Sequence, residues 1–110
     1  MVERERFDIE FFRQLSTGDV IRVRLDVDRG QVTDFTLQLE TFVDERWRPV
    51  VRYDSAHGQP HRDLLDWEGR VIDKFWLAPT MTNKQAVRYA EQDLSDNGSA
   101  YRQVFLERKP

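Results

Sequence analysis

The chain has 110 residues, 20 acidic and 17 basic side chains, a formal net charge of −3, and no cysteine. Disulfides and thiolate metal sites are therefore excluded, and the negative charge argues against a surface that traps nucleic acid all over. Hydrophobic residues make up 39% of the chain, enough for one packed core, and we predict a single domain over residues 1–110.

No apolar run approaches the roughly 20 residues that a membrane-spanning helix requires. The charged opening, residues 1–6, lacks the apolar stretch of a signal peptide. We therefore expect a cytoplasmic protein with no membrane association.

The first predicted element, residues 3–15, fits two structures. Phe7, Phe11 and Leu15 recur at helical spacing, whereas Phe7, Ile9 and Phe11 alternate as in a strand. The type of this element stays open, and we predict only that Phe7 and Phe11 are buried. Residues 16–19 then break the pattern.

The middle of the chain predicts a run of antiparallel strands. Ile21 begins an alternation of apolar and charged residues that indicates a strand with one wet face, and Gly30 supplies the following turn. The second strand points Phe35, Leu37 and Leu39 inward. In the third, Trp47, Pro49, Val51 and Tyr53 share one face. Because Pro49 has no amide hydrogen, this strand lies at a sheet edge or begins its ladder after that residue.

Two more strands and two helices complete the prediction. The strands run over residues 61–66 and 70–77, and the second is apolar on both faces, which indicates cover on both sides. Residues 82–85 form a helix capping box, Asn97-Gly98 ends that helix, and Ser99 caps another. The fold class is α+β, an antiparallel four- to five-stranded meander packed against two C-terminal helices.

The candidate site lies in residues 50–66, which contain both histidines of the chain. Histidine exchanges protons near neutral pH, so two imidazoles, one base and one acid, suit RNA cleavage through the 2′-hydroxyl. Arginines beside them can stabilise charge on a phosphate, and a tyrosine can stack on a base. The predicted catalytic residues are His57, His61 and Asp54, and the predicted substrate-binding residues are Arg52, Arg62 and Tyr53.

Two other interpretations of this segment remain open. The spacing of His57 and His61 occurs in zinc sites on helices, with Asp54 and Asp63 as further ligands. Gly58 and Pro60 make a helix improbable here, so we predict no metal ligand and no cofactor. Alternatively the segment is purely structural, with Asp54 accepting loop amides in an Asx turn and the imidazoles pairing with carbonyls or aspartates.

Residues 52–63, Arg-Tyr-Asp-Ser-Ala-His-Gly-Gln-Pro-His-Arg-Asp, resemble an uncharacterised prokaryotic domain family. Its shared mark is an Arg-Tyr-Asp, an Ala-His-Gly and a following His. The pattern more distantly resembles the TumE-type toxins of toxin–antitoxin pairs. This resemblance implies a prokaryotic origin and a toxin-like or RNA-directed role.

The leading functional hypothesis is a small toxin-like domain that acts on RNA or nucleotide phosphate. The alternative is a non-enzymatic interaction module, for example one that docks a cognate antitoxin, in which the histidine loop is structural. The expected partners are RNA or such a protein.

Overall fold

The computed structural model describes residues 5–110, apart from the side chain of His57. Within this range it contains six strands and one long helix. The elements are β1 (Arg6–Ser16), β2 (Asp19–Asp28), β3 (Gln31–Val43), β4 (Arg46–Asp54), β5 (His61–Leu65), β6 (Val71–Trp76) and α1 (Asn83–Glu107). A single 3-10 turn, Ala56–Gly58, lies between β4 and β5.

The six strands form one antiparallel meander in the order β1-β2-β3-β4-β5-β6. Two-residue turns join β1 to β2, β2 to β3 and β3 to β4. In the latter two turns both residues have positive φ, 52° at Arg29, 77° at Gly30, 53° at Asp44 and 65° at Glu45. Positive φ at both positions is typical of the turn whose twist matches paired strands, so these turns set the register of the sheet.

Helix α1 covers one face of the sheet, chiefly over β3 and β4. The core is formed by the inward side chains of β2, β3 and β4 and the apolar stripe of α1. Its largest fully buried apolar members are Tyr53, Phe35, Phe105, Ile21, Leu37, Leu39 and Leu94. We call the opposite surface of the sheet the outer face. Within residues 5–110 no helix packs on it, because α1 is the only long helix there.

The predicted α+β class is confirmed, but the sheet has six strands rather than four or five, and one helix replaces the predicted two. The capping box of Thr82 and Gln85 is present. The helix does not end at Asn97-Gly98 but continues to Glu107. Gly98 is buried within it, and a Cβ atom at this position would lie 3.2 Å from the side chain of Leu15 on β1. Gly98 therefore permits close packing inside the helix instead of ending it.

The prediction that Phe7 and Phe11 are buried is wrong. The first element is strand β1, and these side chains are 46% and 43% exposed. Both stand on the face of the sheet that carries α1, opposite Val27 and Val23 of β2. The helix lies over β3 and β4 rather than over β1. Among the described residues it forms one ion pair with β1, Arg13 to Glu91 at 3.5 Å, and this contact does not cover Phe7 or Phe11.

The faces predicted for β4 are wrong upstream of Val50. The register shifts from Leu39–Val51 to Glu40–Pro49, so Val50 is an extra residue, a β-bulge. Trp47 therefore lies on the outer face against Phe42, with ring centroids 5.3 Å apart. Strand β4 is interior rather than an edge, although its ladder to β5 does begin after Pro49, at Val51.

Strand β6 is an edge strand and not one covered on both sides. All six of its residues are exposed, and within residues 5–110 it pairs only with β5. The apolar residues on both of its faces are thus accessible at the margin of the sheet. Among the described residues, no helix is both long and apolar enough to cross a membrane.

Candidate functional site

Alternation along β4 and β5 divides five of the six predicted site residues between the two faces of the sheet, and the sixth, His57, lies on neither strand. Arg52 stands opposite Asp63, and Asp54 stands opposite His61, all on the outer face. Tyr53 and Arg62 stand opposite each other on the face that carries α1. The structure therefore brings Arg52, Asp54 and His61 together but separates them from Tyr53 and Arg62.

His61 is the centre of the outer-face group. Its side chain is 2% exposed, and its Nε2 atom lies 3.1 Å from Asp54 Oδ1 and 3.5 Å from Asp63 Oδ2. Its Nδ1 atom lies 3.1 Å from the carbonyl oxygen of Gln59. The indole of Trp76 on β6 flanks the imidazole, with ring centroids 5.0 Å apart. We call Asp54, His61 and Asp63 the histidine–aspartate cluster.

The two aspartates of the cluster are held by different partners. Asp54 Oδ1 accepts the amide of Ala56 at 3.0 Å, the Asx turn anticipated by the structural interpretation. Asp63 accepts a hydrogen bond from Lys74 Nζ at 2.7 Å. One imidazole nitrogen and two carboxylate oxygens of the cluster lie within 4.8 Å of one another, a donor set that can hold a metal ion.

Next to this cluster, the side chains of the outer face form rows that run across the strands. One row of directly paired residues spans the whole sheet: Phe12, Arg22, Gln38, Arg52, Asp63 and Lys74. Arg52 Nε donates to Gln38 Oε1 at 2.8 Å, and Arg22 Nε donates to Glu40 at 2.9 Å. At the β1 end, the Arg22 guanidinium lies 4.6 Å from the centre of the Phe12 ring.

An apolar hollow lies beside this row. It has a volume of about 290 Å³ and is lined by Phe12, Val20, Arg22, Glu40 and Trp47. Two aromatic side chains and one guanidinium thus border a depression on the same face as the histidine–aspartate cluster.

Tyr53 and Arg62 belong instead to a network beneath α1. Tyr53 is fully buried, and its hydroxyl donates to Asp93 at 2.7 Å. Tyr101 donates to the same carboxylate oxygen at 2.5 Å, and Arg62 donates to the Tyr101 hydroxyl at 3.2 Å. Burial, followed by the hydrogen bond to Asp93, raises the pKa of Tyr53 and also that of Tyr101. Tyr53 therefore contributes to packing beneath α1, and its role in substrate binding stays a prediction.

His57 lies in the 3-10 turn, and its side chain is outside the described part of the structure. The hypothesis that His57 and His61 face each other therefore stays a prediction. Its backbone neighbours show that the loop is a single turn closed by Gly58, with φ of 86°.

Sequence reasoning assigned no functional role to Lys74, Trp76 or the pair Phe12 and Trp47. A usable signal existed for Lys74 and Trp76, because a short hairpin from β5 to β6 pairs alternate residues on one face. Phe12 and Trp47 were harder to place, since their positions depend on the pairing of β1 and on the bulge at Val50.

A family model described as "Domain of unknown function (DUF7718)" matches residues 1–110, and the chain belongs to that family. No curated protein matches the chain, and no solved structure matches it either.

Proposed function

We propose that this member of the DUF7718 family is a toxin-like domain that binds single-stranded RNA on its outer face and acts on its phosphate backbone. The observation that carries the proposal is the hollow between Phe12 and Trp47, which lies beside the row that holds Arg52 and Lys74. Single-stranded nucleic acids bind to proteins by stacking bases on aromatic side chains and contacting phosphates with cations. A strand face left without a covering layer offers both kinds of group.

The local charges support a phosphate position beside Arg52. Two acidic side chains nearby have cationic partners: Glu40 contacts Arg22, and Asp63 contacts Lys74. Among the described residues, Arg52 forms a side-chain hydrogen bond only through Nε, to Gln38. Its two terminal nitrogens are thus available for the paired hydrogen bonds that a guanidinium forms with phosphate.

The reactive group in this proposal is His61 with Asp54. An imidazole bonded to a carboxylate is the usual pair for proton transfer in phosphodiester cleavage, and it lies one row from Arg52. The resemblance of residues 52–63 to TumE-type toxins supports the same role. Arg52, Asp54 and His61 are the residues of that motif on the outer face.

The binding part of the proposal is tested with fluorescently labelled single-stranded RNA and anisotropy. Base stacking contributes about 1–3 kcal/mol per base, so we expect Trp47→Ala to weaken binding by roughly 5- to 150-fold. Arg52→Ala is expected to weaken binding and to reduce its salt dependence. Tyr89→Ala and Arg88→Ala, at exposed positions of α1, are the matched controls. Equal affinities in all five proteins would remove the basis of the proposal.

The chemical part is tested by following RNA cleavage in wild type, His57→Ala and His61→Ala. We expect His61→Ala to abolish cleavage while RNA binding persists. Cleavage that is absent from the wild type, or equal in all three proteins, would refute the catalytic assignment.

A second candidate function is a protein-interaction module, which the exposed edge strand β6 favours. An edge with free backbone groups and apolar side chains can accept a strand from a partner such as an antitoxin. This candidate predicts a complex with the product of a neighbouring gene that survives His57→Ala and His61→Ala but is lost in Phe75→Asp. Loss of the complex in the histidine variants alone would contradict it.

A further inference from the structure

The hydrogen bonds of His61 determine which of its ring nitrogens carries a proton. Nδ1 lies 3.1 Å from the carbonyl oxygen of Gln59, and a carbonyl oxygen only accepts hydrogen bonds. Nδ1 must therefore be the protonated nitrogen of the ring. In a neutral imidazole the other nitrogen, Nε2, then presents a lone pair.

That lone pair points into a group of negative charge. The atoms nearest to Nε2 are Asp54 Oδ1 at 3.1 Å and Asp63 Oδ2 at 3.5 Å. Three electron-rich atoms converge at a place where His61 and Asp63 are almost fully buried. Buried charges of one sign are costly unless a positive charge stands among them. Lys74 Nζ, 2.7 Å from Asp63 Oδ1, supplies one such charge, whereas among the described residues Asp54 has no lysine or arginine within 4 Å. A metal ion bound by all three side chains would supply the further positive charge.

We propose that it is a divalent zinc ion, bound by Asp54, His61 Nε2 and Asp63. Ligands about 2.0–2.2 Å from zinc at tetrahedral angles lie about 3.3–3.6 Å apart. The spacings of 3.1 Å and 3.5 Å at Nε2 match this pattern with a small adjustment. A nitrogen donor among oxygens favours zinc over magnesium or calcium, which take oxygen ligands.

The groups outside the cluster are arranged as around a metal site. Histidines that bind metals usually donate their second ring nitrogen to a carbonyl or carboxylate, which fixes the ring, and Gln59 supplies that carbonyl. Lys74 Nζ holds Asp63 through Oδ1 and leaves Oδ2 toward the imidazole. The lysine also repels a cation, so we expect weaker binding than at a site without it. Asp54 is the most exposed of the three ligands, and its side is the one open to a fourth ligand such as water.

This inference is an alternative to the proton-transfer role of His61 in the proposed function, because an Nε2 atom bound to zinc cannot exchange a proton. It leaves RNA binding on the outer face untouched, and its test contains no RNA. The full chain is dialysed against chelator, then titrated with Zn²⁺ by calorimetry, and Co²⁺ is added separately to record its visible spectrum. We expect one zinc per chain and the absorption bands of tetrahedral Co²⁺. Asp54→Asn keeps an oxygen for the Ala56 amide but loses the charge, and it should weaken zinc binding at least about tenfold. His61→Gln should do the same.

Asp73→Asn is the matched control, since Asp73 lies on β6 with an exposed side chain and pairs with Leu64 rather than with a ligand. It should bind zinc like the wild type. A wild type that binds no zinc, or zinc binding that Asp54→Asn and His61→Gln leave unchanged, would overturn the proposal. If both variants fail to fold, as judged by circular dichroism in chelator, the Co²⁺ spectrum of the wild type decides. Absence of tetrahedral bands would overturn the site.

Discussion

The hydroxyl of Tyr53 offers a direct test of whether this side chain stabilises the core or binds substrate. In Tyr53→Phe the ring stays and only the hydroxyl is lost, so packing against Tyr89, with ring centroids 6.1 Å apart, is retained. The lost hydrogen bond to Asp93 measures 2.7 Å and ends on a carboxylate. Because Tyr53 is fully buried, no water can take the place of its hydroxyl without a structural change.

The expected cost follows from the charge of the acceptor. Hydrogen bonds to charged groups contribute about 1.5–3 kcal/mol to stability, and Asp93 keeps its bond from Tyr101 after the change. We therefore expect the free energy of unfolding to fall by about 1.5–3 kcal/mol in guanidinium titration. The slope of the titration should not change, because the surface exposed on unfolding is nearly the same. RNA affinity should be that of the wild type, since the side chain lies beneath α1.

The matched control is Tyr89→Phe, which removes a hydroxyl from a tyrosine that is largely exposed. Its effect should stay within about 0.5 kcal/mol. Equal losses of stability in the two variants would refute the network of Tyr53 and Asp93. A loss of RNA binding in Tyr53→Phe without a loss of stability would instead support the predicted role of the tyrosine in substrate binding.

Two further predictions concern α1 and its network. Burial and the hydrogen bond to Asp93 raise the pKa of Tyr101 to about 12, so its contribution to stability is complete below the unfolded-state pKa of about 10 and declines as the pH rises from there toward 12. Denaturant titrations between these pH values should show that decline, and a decline of the same size in Tyr101→Phe would contradict the assignment. Thr82→Ala removes the cap that accepts the Gln85 amide at 3.1 Å and should cost about 0.5–2 kcal/mol. No change in the thermal midpoint would show that the cap does not stabilise α1.

The strands that the sequence predicts well are those in which one face is covered by the helix. Ile21 and Val23 of β2, and Phe35, Leu37 and Leu39 of β3, alternate with polar residues, and all five are buried. Here the pattern of side chains and the burial have the same cause, since one face of each strand meets α1 and the other does not.

Burial at the edges of the sheet could not be predicted from the same pattern. Phe7 and Phe11 have the spacing of residues that share one face of a strand. Whether residues on that face are buried depends on the length and position of the helix, which the spacing does not reveal. The helix itself was divided in two because Asn97-Gly98 is a common helix ending. Only contact with Leu15, which is remote in sequence, explains a glycine at that place.

The candidate site could be predicted from the sequence only in part. Asp54 and His61 pair across a hairpin whose turn the sequence indicates, so their proximity could be anticipated. The separation of Arg52 from Tyr53 follows from strand alternation alone, and proximity in sequence was misleading there. The carbonyl of Gln59 beside the imidazole and the ammonium of Lys74 on Asp63 could be placed only once the pairing of β4, β5 and β6 was known.

The bulge at Val50 separates the register of part of the site from the length of the turn between β3 and β4. Residues 51–54 carry Arg52 and Asp54, and they keep their pairing with β3 on one side of the bulge, while residues 46–49 pair with a shifted register on the other. A residue inserted between the 44–45 turn and the bulge would exchange which side chains reach the outer face there, and Trp47 would be among them. The cluster around His61 would be preserved. The two halves of the outer face are thus free to change separately: the aromatic hollow can be altered in evolution or by design without disturbing the charged end of the sheet.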